Sequence, residues 1–159
     1  FGAALLIIFS GQYLFGNGAV GATLLSIAKT KTTLGFGSAI LLGILCNVLV
    51  CLAVWMSYSG RTATDKVLVI VPPITAFVAS GFEHSIANMF YIPAAILLRS
   101  IATDAFWINI GRTADDYPSL TIWNFVFVNL LPVTIGNIIG GTVLVGIVYW
   151  FVYLRKRAK

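Results

Sequence analysis

The sequence predicts an all-α integral membrane protein, and three observations support this. The chain is 59% hydrophobic and 9% charged, with a mean hydropathy of +0.97, whereas a soluble domain carries about a quarter charged residues. The charges are bunched into a few short stretches. The apolar runs between them reach the roughly 20 residues that a helix needs to cross the hydrocarbon core, so the charged stretches mark the loops.

The apolar runs predict about three and a half transmembrane segments within a single transmembrane domain, 1–159. Three runs are long enough to span a membrane, namely Leu34–Tyr58, Val67–Leu98 and a third from about Phe125 to Leu154. The chain begins at Phe1 without a methionine or a basic region. We therefore interpret residues 1–9 as the tail of a fourth segment and expect an N-terminal portion to be missing.

The stretches between the apolar runs are predicted to be loops. Residues 10–33 are rich in glycine and then basic, which is typical of a loop. Residues 99–119 contain three aspartates and two arginines, so we expect an exposed loop there, with a surface turn at Tyr117-Pro118.

The distribution of basic residues predicts the orientation. One side holds six Lys and Arg residues, in the short loop (Arg61, Lys66) and the tail (Arg155, Lys156, Arg157, Lys159); the other holds four, Lys29, Lys31, Arg99 and Arg112. Because cytoplasmic loops carry the excess of basic residues, the C-terminus is expected in the cytoplasm. On the same side, an aromatic belt is expected from Trp55, Tyr58, Tyr149, Trp150 and Tyr153.

The second apolar run is too long for one straight helix. Its 32 residues would extend about 48 Å, whereas the hydrocarbon core is about 30 Å thick. Prolines favour breaks, and the run contains Pro72, Pro73 and Pro93, with flexible backbone at Ser80-Gly81. Backbone freed from a helix at membrane depth is tolerated where it lines a cavity, and transporters build binding sites from such discontinuous helices. The break therefore predicts a permeation site.

Two ionisable residues, Glu83 and His84, follow this break directly. An ionisable group inside a membrane span indicates a functional site; the alternative for His84 is an interhelical hydrogen bond. Adjacent residues on a helix point about 100° apart. If His84 faces a lumen, Glu83 therefore faces protein, and we interpret Glu83 as a structural anchor.

Two further amides lie in apolar spans. Asn47 must face either protein or a pore, because an unpartnered amide in hydrocarbon costs several kcal/mol; both alternatives stay open. Asn137 lies within a G-x-x-x-G face formed by Gly136 and Gly140, a pattern typical of close helix packing.

The stretch GFEHSIANMF, preceded by NVLVCLAVWMSYSGR and followed by NIIGG in the last span, resembles the formate/nitrite transporter family, the formate channels most of all. The resemblance implies an aquaporin-like helical bundle of six segments, built as an inverted repeat with the second and fifth segments broken. It also implies a homopentamer with one pore per protomer, in the bacterial cytoplasmic (inner) membrane. The chain resembles the second half of such a protein, so these residues alone complete no pore.

The resemblance also implies roles for single residues. It makes His84 the central pore histidine and Phe77 the constriction on the cytoplasmic side. It makes Asn47 a pore-near asparagine and Lys31 a vestibule lysine. Two more residues match the family motif around the histidine, Glu83 and Asn88. Phe77 precedes His84 by seven residues, which places both on one face of a continuous helix.

A physical rationale links these residues to formate and protons. A formate ion pays a large desolvation cost in an apolar constriction, whereas neutral formic acid does not. Lys31 would concentrate anions by its field, and a protonated His84 would lend or transfer a proton, since histidine titrates near pH 6.5 in water. The partners expected are formate or a similar small anion, protons and membrane lipids.

Rival functions are a nitrite or hydrosulfide channel of the same family and a non-transporting assembly subunit. An enzyme is not expected. The sequence has one histidine, which supplies no two-histidine metal or haem site, and it lacks the H-E-x-x-H pattern of zinc proteases. We expect no cofactor and no metal. The net charge of +5 is not accompanied by a basic face with interleaved aromatics, so no nucleic-acid partner is expected.

Overall fold

The structure is a computed structural model that describes residues 1–155, and these residues are helical without any strand. This confirms the all-α prediction. Six helices precede the last one: α1 (Gly2–Phe9), α2 (Ala19–Thr32), α3 (Phe36–Ser57), α4 (Ala63–Ala79), α5 (Ser85–Ile101) and α6 (Asp104–Ile110). The last helix covers Asn124–Leu154 and is wound in part as π-helix. Short 3₁₀ turns lie at Gln12–Leu14 and Ala114–Asp116.

The chain forms two compact units. The first unit comprises Phe1–Phe36 and Ser85–Leu131, and the second comprises Gly37–His84 and Pro132–Lys159. The prediction of a single transmembrane domain over 1–159 stays a prediction.

Within residues 1–155, two helices are long and apolar enough to cross a membrane, α3 and the last helix. They confirm the predicted first and third spans to within two residues at each end. A third crossing is reached if α5 and α6, which are bent by 114° at a short break, count as one span. The expectation that residues 1–9 end a further span stays a prediction, because α1 has only eight residues.

The long second run is broken once, at residues 80–84, between α4 and α5. Gly81 has φ = +66°, a conformation that glycine adopts without steric cost. The predicted break at Ser80-Gly81 is therefore confirmed. The predicted breaks at the prolines are wrong, because Pro72 and Pro73 lie inside α4 and Pro93 lies inside α5.

The two segments predicted as loops contain helices instead. Residues 10–33 include α2 (Ala19–Thr32), whose Leu24, Leu25 and Ala28 are buried in the core of the first unit. Burial in that core stabilises a helix whose apolar positions recur every three or four residues. Glycines and lysines between these positions make the pattern hard to recognise in the sequence.

Residues 99–119 also differ from the exposed loop that the sequence predicts. Phe106 in α6 is 1% exposed and Tyr117 is 6% exposed, and their rings join the same core. Because Tyr117 is buried, the prediction of a surface turn at Tyr117-Pro118 holds for the exposed Pro118 alone.

Glycines set the packing of α3 against the last helix in the second unit. A Cβ atom on Gly136 would overlap the carbonyl oxygen of Ile40, and one on Gly140 would overlap that of Ile44. On the facing helix, a Cβ on Gly43 would lie 2.8 Å from the Val133 carbonyl oxygen. The G-x-x-x-G prediction of close helix packing is thus confirmed.

Three aromatic residues of the predicted belt contact each other at the ends of these two helices. The ring of Trp55 lies 5.7 Å from that of Tyr149 and 6.1 Å from that of Tyr153, and the two tyrosine rings lie 5.0 Å apart. The depth of the belt in a membrane stays a prediction. Of the basic tail, Lys156, Arg157 and Lys159 lie outside the described residues.

Candidate functional site

His84 lies at the end of the break, directly before α5. Its imidazole ring is half-buried, and the ring centroid is 5.9 Å from that of Phe77 in a tilted arrangement. The turn brings them together: the N–H of Phe82 donates to the Phe77 carbonyl at 3.2 Å. The proximity of the two residues was expected, but the reason given was wrong, because no continuous helix joins them.

Glu83 occupies a different environment from its neighbour His84. Glu83 is 3% exposed, and its backbone N–H donates to the Leu42 carbonyl of α3 at 3.4 Å. Its own carbonyl accepts a hydrogen bond of 3.0 Å from the side chain of Asn137. The backbone at Glu83 is therefore held by α3 and by the last helix, which supports its interpretation as an anchor.

Asn137 is the centre of this polar cluster. Its side-chain nitrogen donates to the Gly43 carbonyl at 2.9 Å and to the Glu83 carbonyl at 3.0 Å, and the residue is 7% exposed. It thereby ties α3, the break and the last helix together. Sequence reasoning assigned Asn137 to packing and missed this role. The requirement that a buried amide find partners, which was applied to Asn47, would have found it.

Asn47 belongs to the same cluster. Its side-chain nitrogen donates to the backbone carbonyl of Asn137 at 2.6 Å. Of the two alternatives that the sequence left open, protein or pore, the amide donor faces protein. The role of Asn47 beside a pore stays a prediction.

A second polar cluster lies in the first unit. The side chain of Asn88, 0% exposed, donates to the side-chain oxygen of Asn129 at 2.7 Å, and Asn129 donates to the backbone carbonyl of Lys31 at 3.0 Å. Asn129 is likewise 0% exposed and was missed by sequence reasoning. The cluster fixes the backbone at Lys31, which lies in the last turn of α2 and not in the loop that was predicted.

Lys29, the other lysine of α2, makes a structural contact. Its ammonium donates to the Asp116 carbonyl at 2.8 Å and lies 5.5 Å from the centroid of the Tyr117 ring. Burial raises the pKa of the Tyr117 phenol, opposed by the charge of Arg112. Lys29 therefore ties α2 to the segment after α6.

The chemistry available in the second unit is that of one imidazole next to an aromatic ring. Asparagine side chains donate to three backbone carbonyls around it, those of Gly43 in α3, Glu83 in the break and Asn137 in the last helix. The imidazole of His84, which is half-buried, is the group that can donate or accept a proton. Within residues 1–155, no three His, Cys, Asp or Glu side chains are placed to hold a metal ion.

Comparison with known proteins gives consistent relatives. The family model for the formate/nitrite transporter matches residues 1–151. The chain is 53% identical over 152 residues to the formate channel FocA of Escherichia coli (strain K12), covering 96% of this chain and 53% of FocA. It is 50% identical over 153 residues to the formate channel FocB of the same strain, covering 96% of this chain and 54% of FocB. The chain thus spans about half the length of the curated relatives it matches.

Solved structures agree with these relatives. A pentameric formate channel with formate bound matches with a TM-score of 0.90 and 44% identity, over 96% of this chain and 60% of that chain. An FNT family ion channel matches with a TM-score of 0.70 and 34% identity, over 93% of this chain and 51% of that chain. These matches confirm the predicted membrane-channel fold. The chain belongs to the formate/nitrite transporter family.

Proposed function

We propose that this chain supplies part of the pore of a membrane channel for formate and related small monovalent anions, in which His84 controls passage in a pH-dependent way. The observation that carries the proposal is the half-buried imidazole of His84, 5.9 Å from the Phe77 ring at a break between two apolar helices. The names of the relatives, formate channels in two cases, support formate as the substrate.

The cost of desolvating an anion explains why this arrangement suits the function. An ion entering an apolar constriction loses hydration worth several kcal/mol, and the ring of Phe77 cannot replace it. A protonated imidazole next to that ring offers a charged hydrogen bond or a proton, and protonation makes formate a neutral acid. Glu83, held by its backbone, keeps its place while His84 meets the anion.

The assembly and location belong to the same proposal. We propose a homopentamer in the bacterial cytoplasmic membrane, surrounded by membrane lipids, with the C-terminus in the cytoplasm. The pentameric assembly of a structural relative at 44% identity supports the first part. The six-to-four excess of basic residues supports the orientation.

Flux into liposomes containing the full-length protein tests the function. Formate, nitrite, hydrosulfide and chloride are compared at external pH values from about 5 to 8, a range that brackets the ordinary titration of histidine. We expect formate flux to exceed chloride flux and to rise as the pH falls. Equal flux of all four anions, or flux no greater than that of empty liposomes, would contradict the proposal.

The orientation is tested by reporters fused after Lys159 in cells. We expect a fluorescent protein fused there to mature and an alkaline phosphatase to stay inactive, because the phosphatase folds only outside the cytoplasm. A second pair of fusions in the loop after Tyr117, on the predicted opposite side, should show the reverse. An active phosphatase after Lys159 would show that the orientation is the reverse of the one proposed.

Lys31 is expected to act through its electric field. Replacing Lys31 with Gln should lower formate flux most at low ionic strength, because at about 0.01 M salt the Debye length is about 30 Å and the field reaches furthest. The control is Lys66→Gln, which removes the same charge from an exposed position near the start of α4, on the predicted cytoplasmic side. Flux is measured with formate added on the Lys31 side. An unchanged flux at every salt concentration would assign Lys31 to a surface role.

A further inference from the structure

A polar pocket lies within the first unit, between α2 and the segment that follows α6. It has a volume of about 360 Å³. Neither His84 nor Lys31 belongs to its lining, so the pocket is separate from the candidate site described above. The polar residues that line it are Ser26 and Lys29 of α2 and, on the facing segment, Arg112, Asp116 and Tyr117.

The ammonium group of Lys29 is held at this pocket by two contacts. It donates to the Asp116 carbonyl at 2.8 Å and lies 5.5 Å from the centroid of the Tyr117 ring. An ammonium group has three donors, so two of them remain for a ligand. A side chain that is already held in place loses less conformational entropy on binding than a mobile lysine does. Lys29 therefore supplies a preorganised positive charge.

Arg112 supplies a second positive charge to the same pocket. Its backbone N–H donates to the Trp107 carbonyl at 3.2 Å. Its guanidinium group forms no hydrogen bond or ion pair with any group among residues 1–155. A guanidinium group has five donors in a planar fork that matches the two oxygens of a carboxylate. The donors of Arg112 are thus available to an anion.

The acidic residue of the lining, Asp116, does not cancel these two charges. Its carboxylate accepts hydrogen bonds from the backbone N–H of Thr113 at 2.8 Å and from the Thr113 hydroxyl at 3.4 Å. Two cations and one carboxylate leave an excess of one positive charge in the lining. Burial raises the pKa of the Tyr117 phenol and the charge of Arg112 opposes that rise, so this charge also acts on a buried wall of the pocket. The pocket therefore favours a monovalent anion.

We propose that this pocket binds a small monocarboxylate, whose carboxylate group lies between the guanidinium of Arg112 and the ammonium of Lys29. The hydroxyl of Ser26 offers a further hydrogen-bond donor. The volume of about 360 Å³ exceeds what a formate ion fills. The pocket therefore also admits carboxylates with a short carbon chain, which would lie against the apolar side chains of Ala22 and Ile110.

Chemical modification of Arg112 tests the proposal. The full-length protein in detergent is treated with phenylglyoxal, which reacts with accessible guanidinium groups, while sodium formate or sodium acetate replaces sodium chloride at constant ionic strength. Mass spectrometry of the peptides measures the modified fraction at each arginine. At about ten times the dissociation constant, either carboxylate should slow the modification of Arg112 about tenfold. Arg61, an exposed arginine just before α4, should react at an unchanged rate.

Two variants determine whether the protection arises in this pocket. Lys29→Gln removes one of its charges but keeps a donor for the Asp116 carbonyl. The carboxylate concentration that gives half-protection of Arg112 should then rise about tenfold, because a hydrogen bond to a charged group contributes about a factor of ten or more to binding. Lys31→Gln removes an equal charge two residues further along α2, outside the lining. It should leave the half-protection concentration close to normal.

Three results would overturn the proposal. Equal modification of Arg112 in chloride and in carboxylate would show that the pocket does not select a carboxylate. An Arg112 that stays unreactive under every condition would show that a protein group from elsewhere in the full-length oligomer occupies the pocket. An equal effect of Lys29→Gln and Lys31→Gln would assign the protection to the general field of α2. Because modification is measured and not flux, none of these results bears on the proposed function of His84.

Discussion

Replacing His84 with Phe is expected to reduce formate flux by at least about tenfold while the protein still folds and assembles. Phenylalanine has a similar bulk but offers neither a proton nor a hydrogen bond. A hydrogen bond to a charged group contributes about 1.5–3 kcal/mol, and each 1.4 kcal/mol corresponds to a factor of ten. The measurement is formate flux into liposomes, with the oligomer checked on a sizing column.

The control for this variant is Ile86→Phe. Ile86 lies two residues further on and is 65% exposed, so the change adds an aromatic ring close to the break without touching the imidazole. We expect near-normal flux from it. The contradicting result is a His84→Phe protein with a normal oligomer, the formate flux of the unchanged protein and the same pH profile. His84 would then be interpreted as a residue that makes an ordinary interhelical hydrogen bond.

Replacing His84 with Asn separates the proton from the hydrogen bond. The amide keeps a donor and an acceptor but does not titrate. Flux should therefore lose the part of its pH dependence that the imidazole supplies, and a larger share of the anion should cross in charged form. Current through a planar bilayer reports that share, because a neutral acid carries none.

The sequence predicts the long elements of this fold better than the short ones. A run of 20 or more apolar residues has few alternatives to a spanning helix, and α3 and the last helix agree with the prediction. For α2 and α6 the local signals indicated loops. Their helices depend on burial of Leu25 and Phe106 in a core made by distant parts of the chain, and a local pattern does not contain that information.

The candidate site shows the same division. The length of the apolar run and the flexible Ser80-Gly81 backbone were enough to locate the break, and the angle between adjacent helix residues was enough to assign Glu83 and His84 different surroundings. Neither Asn137, which holds the break, nor Asn129, which holds the end of α2, was found, because they reach their partners across 54 and 98 positions of sequence. A buried amide signals in the sequence that a partner exists. Only the folded chain identifies it.

Replacing Asn137 is the second change from which we expect a large effect on formate flux. Its side chain donates to the carbonyls of Gly43 and Glu83, and the peptide group that carries the Glu83 carbonyl also carries the N–H of His84. Because that peptide group is planar, fixing the carbonyl also fixes the direction of the His84 backbone. Asn137 is thus a positioning residue for His84.

Replacing Asn137 with Leu keeps the size of the side chain and removes both hydrogen bonds. Leaving a buried acceptor unsatisfied costs about 1–3 kcal/mol, and a cost of about 1.4 kcal/mol on the competent conformation lowers its population tenfold. We therefore expect formate flux to fall by about tenfold and thermal stability in detergent to fall with it. The matched comparison is Asn124→Leu, which removes one hydrogen bond of 2.9 Å, to the Ser119 carbonyl, that does not reach the break.

The two variants distinguish positioning from stability. Both remove a partly or fully buried amide donor, so both should lower the melting temperature, but only Asn137→Leu releases the Glu83 carbonyl. The flux per folded oligomer should therefore fall for Asn137→Leu and stay close to normal for Asn124→Leu. If both variants kept normal flux per oligomer, the conformation of the break would not depend on Asn137, and the packing of Gly136 and Gly140 against α3 would be sufficient to hold it.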